Sequence, residues 1–140
     1  AHMDIGGKAI LEVPGTRAEI ITRSISLGGE IINRGNLTGD AEEVKAHLEC
    51  HGLMLSKKGY IRAIPELFAE MDNAEMSHEA AVGRIAPEEI EYLMARGMDE
   101  EEATATIVRG FLNINIEGRP ESLAKKINST LDTFTIHKGC

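Results

Sequence analysis

Six residues of this chain recur, nearly unchanged, eleven positions later. Ala18-Glu19-Ile20-Ile21-Thr22-Arg23 is answered by Gly29-Glu30-Ile31-Ile32-Asn33-Arg34, and Gly28 and Gly39 close the two units at the same offset. Lys8-Ala9-Ile10-Leu11-Glu12 is a weaker copy, eleven residues earlier again. Such a period is too short for a helical hairpin and suits one short strand and a turn, stacked on its neighbours. Adjacent strand residues point to opposite faces, so each Ile-Ile pair makes both faces apolar or sends one Ile against a flanking layer. The stacked coils of a β-solenoid accommodate this by burying a continuous interior. An antiparallel meander with Gly-Gly and Thr-Gly-Asp turns is the alternative.

The β character continues, less cleanly, over residues 43–64. Val44, Ala46 and Leu48 alternate with polar residues, as a half-buried strand requires, and Lys57-Lys58-Gly59 reads as a turn. Leu67-Phe68-Ala69 and Ala74-Glu75-Met76 read as short strands about a Met-Asp-Asn turn. Beyond Ile85 the punctuation becomes helical. Pro87 suits a first helical position, with Glu88 and Glu89 in the first turn and Gly97 just past the end. Ile90, Leu93 and Met94 form one face. Asp99 with Glu102 resembles a capping box, and Ala103, Ile107, Val108, Phe111 and Leu112 follow it as an apolar face. Gly110 within that face costs about 1 kcal/mol relative to Ala. A last helix begins near Pro120, with Leu123, Ile127 and Leu131 on one side. The expected division is 1–3 as a cloning scar (Ala1-His2-Met3), 4–85 as the β segment and 86–140 as a helical domain.

At 140 residues the chain is long enough for a real core, and a net charge of −8 gives it no overall pull on phosphate backbones. No nucleic-acid partner is expected. No apolar run is long enough to span a bilayer and no secretory signal is visible, so no membrane partner is expected. Two cysteines, Cys50 and Cys140, make no disulfide framework, and a cytoplasmic location is expected. Residues 87–102 hold seven acids against one base, Arg96. That hairpin is either a solvated face or a docking surface for a basic partner.

No phosphate-binding loop, dinucleotide fingerprint, nucleophile elbow or Cys-x-x-Cys occurs, which weighs against catalysis and against a self-contained cluster site. His47, Cys50 and His51 would share a helix face and could grip a soft metal there. On a strand, the expected state, His47 and His51 share a face and Cys50 points the other way. His78-Glu79 offers nitrogen and oxygen ligands side by side, although a solvent-facing strand end explains the dipeptide equally simply. Cys140, at the last position, is expected to have no site role.

Ser77-His78-Glu79-Ala80-Ala81-Val82-Gly83-Arg84-Ile85 runs into Ile90-Glu91-Tyr92-Leu93-Met94-Ala95-Arg96-Gly97, then Glu101-Glu102-Ala103 and Ile107-Val108-Arg109-Gly110-Phe111. This order resembles the C-terminal part of the SufB/SufD family of the SUF iron–sulfur cluster assembly system, strongly over residues 74 to 112. The resemblance implies a right-handed parallel β-helix followed by a small helical domain. The fold class expected is therefore mixed β then α, a short solenoid with helices after it. It also implies docking of a SufC-type ABC ATPase on the helical region and homo- or hetero-dimerisation with a SufB/SufD-like chain. Any iron–sulfur cluster would be transient and shared with that partner, none being held alone. His78 falls on the histidine that in SufD-like members is implicated in cluster assembly, and Glu79 on the glutamate of SufB-like members; chemically the pair suits the iron side of an interface. A functional cysteine of SufB-like members falls at Gly59, so the sulfur-receiving thiol is missing. Cys50 is a weak candidate thiol.

The expected function is a non-catalytic scaffold subunit of cluster assembly. His78 and Glu79 are the candidate iron-side residues, and Glu91, Arg96 and Arg109 face the ATPase. The alternative is a structural, dimerising module that holds no cluster.

Overall fold

The computed structural model describes residues 1–114 and 118–132, and the chain divides into two compact units between Arg84 and Ile85. The first unit contains six strands: β1 (His2–Leu11), β2 (Arg17–Ser26), β3 (Glu30–Gly39), β4 (Lys45–Met54), β5 (Tyr60–Ala69) and β6 (Glu75–Gly83). They alternate between two sheets. Sheet 1 has the order β1-β3-β5 and sheet 2 the order β2-β4-β6, with every pairing parallel.

This corrects the expected solenoid. The strands form two three-stranded parallel sheets, not a closed β-helix. It also removes the antiparallel meander, because no two consecutive strands pair. The eleven-residue repeat is not the register. Ile20 pairs with Leu48, and Ile31 pairs with Met3 and Ile61. In-sheet partners lie 28 residues apart (His2↔Glu30) or 30 apart (Glu30↔Tyr60). The repeated motif therefore marks similar strands in different sheets. Each Ile pair splits between faces: Ile20 packs on the core, while Ile21 lies in the outward row with Glu49 and Glu79. The residues set aside as a scar include two that β1 uses, with His2 opposite Glu30 and Met3 opposite Ile31.

The core lies between the sheets and is centred on the middle strands. Leu37, Val44 and Leu48 are fully buried, with Leu11, Ala41, Ala46 and Cys50 around them. Alternation over Val44, Ala46, Leu48 and Cys50 directs that row inward. Gly35 on β3 lies directly over Leu48, and a Cβ there would overlap the leucine's methyl groups. Asn33, also buried, donates through Nδ2 to the Ser24 hydroxyl of the other sheet.

The second unit contains α1 (Pro87–Met94), α2 (Glu100–Leu112) and α3 (Glu121–Asp132). Local chemistry accounts for the starts. Pro87 opens α1, and the Glu89 carboxylate accepts from the Ala86 N–H at 3.3 Å. Asp99 accepts from the Glu102 N–H at 2.8 Å, while the Glu102 carboxylate accepts from the Asp99 N–H at 3.0 Å. Gly97, at φ 99°, follows α1 as a left-handed residue. Ala103 and Val108 are the buried residues of α2, which contacts α1. No described helix is long and apolar enough to cross a membrane. Cys140 lies outside the described residues.

Candidate functional site

Sheet 2 carries most of the ligand-type side chains. On β4, His47, Glu49 and His51 face outward and Cys50 faces the core, 1% exposed. His47, Cys50 and His51 therefore do not converge. Burial pushes the Cys50 thiol above its ordinary range, against a side-chain hydrogen bond with Thr22, and the Glu49 charge adds to the rise. A buried thiol of this kind is a poor nucleophile and a poor ligand.

The outward row of sheet 2 is read rung by rung. Glu19, His47 and Ser77 form one rung, and Nδ1 of His47 is 2.8 Å from the Ser77 hydroxyl. Ile21, Glu49 and Glu79 form the next, and Arg23, His51 and Ala81 the one after. Glu49 pairs with Arg23, both side chains being mostly buried. Nε2 of His51 is 3.1 Å from Oε1 of Glu79, and its Nδ1 is 3.4 Å from Oε1 of Glu49. At the other end of the strands, Arg17, Lys45, His47, Glu75 and Ser77 border an open groove of about 830 Å³, where Lys45 pairs with Glu75 at 2.8 Å.

His78 and Glu79 are neighbours on β6, an outer strand, and point to opposite faces. Glu79 joins the outward row. His78 is the register partner of Leu48 and occupies the inward row, yet it is exposed, and among the described residues no strand pairs with β6 on its far side. The two side chains do not form one chelating pair. Among the described residues, no group of three or more His, Cys, Asp or Glu side chains is arranged to hold a metal ion.

Gly59, where the resemblance places a cysteine, sits at φ 82° in the loop before β5. A Cβ there would overlap the Gly29 carbonyl and the Gly28 backbone. The backbone, as well as the sequence, leaves no room for a thiol.

In the helical unit Glu91, Arg96 and Arg109 are all exposed. The Arg96 guanidinium stacks over the Tyr92 ring at 4.7 Å, which fixes its direction. Arg109 lies in the last turn of α2, where a cation complements the helix dipole. Glu88, Glu89, Tyr92, Leu93 and Ile107 line a shallow, largely apolar groove of about 400 Å³ with an acidic rim.

The residues that sequence reasoning missed are Arg23 and Glu49. Arg23 closes the first copy of the repeat and Glu49 lies in no motif, and only the parallel register brings them to His51 and Glu79.

The chain is similar to known proteins over nearly all of its length. The family described as "SUF system FeS cluster assembly, SufBD core domain" matches residues 1–111. An iron–sulfur cluster assembly SufBD family protein of Archaeoglobus fulgidus is 56% identical over 130 residues, 93% of this chain and 35% of the relative. One from Methanothermobacter thermautotrophicus is 50% identical over 131 residues, 93% of this chain and 32% of the relative. The iron–sulfur cluster assembly protein SufB of Bacillus subtilis is 36% identical over 130 residues, 91% of this chain and 28% of the relative. The chain thus spans about a third of the length of the curated relatives it matches.

Proposed function

Because this chain belongs to the SufBD core-domain family of the SUF iron–sulfur cluster assembly system, we propose that it acts as a non-catalytic scaffold on which a cluster is built with a partner chain. The observation that carries this reading is the placement of His78 and Glu79. Two ligand-type side chains stand exposed on an outer strand, one on each face, with too few neighbours of their kind to complete a metal site. Iron and sulfide are then cargo, and the remaining ligands come from a second SufB/SufD-like chain, identical or related. The cluster is transient and belongs to the pair.

The helical unit is the docking side for a SufC-type ATPase. The shallow groove beside Tyr92, with its acidic rim and the oriented Arg96, supports that reading, and Glu91 and Arg109 present further charge. Co-elution with the ATPase on a sizing column tests it: a complex weakened by moderate salt is the expected result, and no complex with a folded chain rejects it. Anaerobic reconstitution with iron, sulfide and a partner tests the site. His78→Ala is expected to lower cluster yield while the chain stays folded, and an unchanged yield removes His78 from the site.

A second reading is favoured by Gly59. A chain that has no room for the thiol serves as an interaction module that holds no cluster. Absence of cluster absorbance in every combination of chains selects this alternative.

A further inference from the structure

Glu49 and Glu79 are direct register partners on the outward face of sheet 2. Like charges directly opposite one another destabilise a sheet, so this rung needs compensation. The next rung supplies it. Arg23 and His51 are also register partners, and the contacts run diagonally: Arg23 to Glu49, and His51 to Glu79. The four side chains form a checkerboard over β2, β4 and β6. Exposure rises along it, from 17% for Arg23 and 19% for Glu49 to 25% for His51 and 63% for Glu79. The inner end is anchored and the outer end is accessible.

We propose that His51 is a positioning residue for Glu79, held in turn by Glu49 and Arg23. The inference rests on the reading of Glu79 as an iron-side ligand. A glutamate on an outer strand has three freely rotating torsions, and ordering it on capture of a cation costs entropy. The ring of His51 stands on the middle strand, and its Nε2 lies within hydrogen-bonding distance of Oε1 of Glu79. Nδ1 of the same ring is 3.4 Å from Oε1 of Glu49, on the side of the ring away from Glu79. The carboxylate is thereby presented at a fixed place above the sheet. His78 has no part in this, because it lies on the opposite face. A group that hydrogen-bonds to a metal-binding side chain fixes its direction, and loss of such a group typically costs about 10- to 100-fold in metal affinity.

The test uses the full chain together with the partner chain of the reconstitution above, titrated anaerobically with ferrous iron against a chromogenic chelator. Glu79→Gln and His51→Leu are both expected to weaken ferrous binding about tenfold or more. His51→Gln, whose amide can still donate to Glu79, is expected to recover most of it. A slowly exchanging ring N–H resonance from His51 is expected in the parent chain and lost in Glu79→Leu, which removes the acceptor. The positioning role is overturned if His51→Leu binds as the parent does while Glu79→Gln does not, and Glu79 then stands as a ligand alone. It is also overturned if His51→Gln is as impaired as His51→Leu at equal thermal stability. Parent-like binding by Glu79→Gln overturns the ligand reading itself, and the positioning role with it.

Discussion

The strands β4 and β6 are neighbours in one sheet with the same alternation, yet they live in different surroundings. Leu48 on β4 and His78 on β6 are register partners in the inward row. Leu48 is fully buried, with residues of both sheets around it. His78 is exposed, and among the described residues β6 pairs on one side only. A position on a strand is therefore not enough to assign core or site, and the number of strands beyond it decides. The middle strands carry the core, and the outer strand carries the candidate site residues His78 and Glu79.

The largest expected effect breaks the middle. Leu48→Ala should lower the unfolding free energy of the β unit by about 2–5 kcal/mol, through lost transfer energy and the cavity left behind. His78→Ala, one strand away on the same row, should change it by less than about 0.5 kcal/mol. Urea unfolding of the two variants checks both. Equal losses would mean that β6 is covered in solution and that the contrast between the two strands does not exist.

A smaller effect sharpens the comparison at the end of a strand. Gly59→Cys would place a thiol in the loop before β5. Its left-handed backbone and the overlap with Gly28 and Gly29 predict a loss of about 2 kcal/mol. Thermal unfolding reads the loss, and reconstitution reads whether any cluster follows. A variant as stable as the parent would show that this loop rearranges easily.

Local signals in the sequence were legible, and long-range ones were not. Pro87, the reciprocal Asp99 and Glu102 cap, and Gly97 mark helix ends through chemistry within four residues, and the helices stand there. The alternation of Val44, Ala46 and Leu48 likewise reports a face directly. The sheet order was hidden, because the partner of each strand lies 28 or 30 residues away. The best sequence match to β2 lies only eleven residues on, in the other sheet. Similarity at an offset of eleven is not adjacency, and the solenoid that the repeat allows and the family resemblance implies is replaced by two parallel sheets. The candidate site followed the same division. His78 and Glu79 stood out as a dipeptide, but their divergence is a consequence of strand geometry. Arg23, Glu49, His51 and Glu79 are spread over 57 positions of chain, numbered 23 to 79, and meet only through the register.

The smallest effect concerns the outer strand of sheet 1. Asp4 on β1 accepts two hydrogen bonds from Arg34 on β3, at 2.8 and 3.0 Å. The hydrogen bond from the Arg34 guanidinium holds the Asp4 carboxyl below its ordinary range, partly offset by desolvation, with smaller lowering contributions from the charges of Arg34 and His2. A group whose folded pKa is depressed contributes stability above its unfolded pKa and loses it as pH falls through the folded value. The contribution of this pair should thus be complete at neutral pH and fade below about pH 4. The pair is exposed, so the contribution is small and screened by salt. Comparing Asp4→Asn with the parent by urea unfolding at pH 7 and at pH 3 measures it. The parent should be the more stable at pH 7, and the gap should close at pH 3 or in strong salt. A gap that persists at pH 3 would mean that Asp4 contributes through packing rather than charge, and that the outer strand is held as a middle strand is.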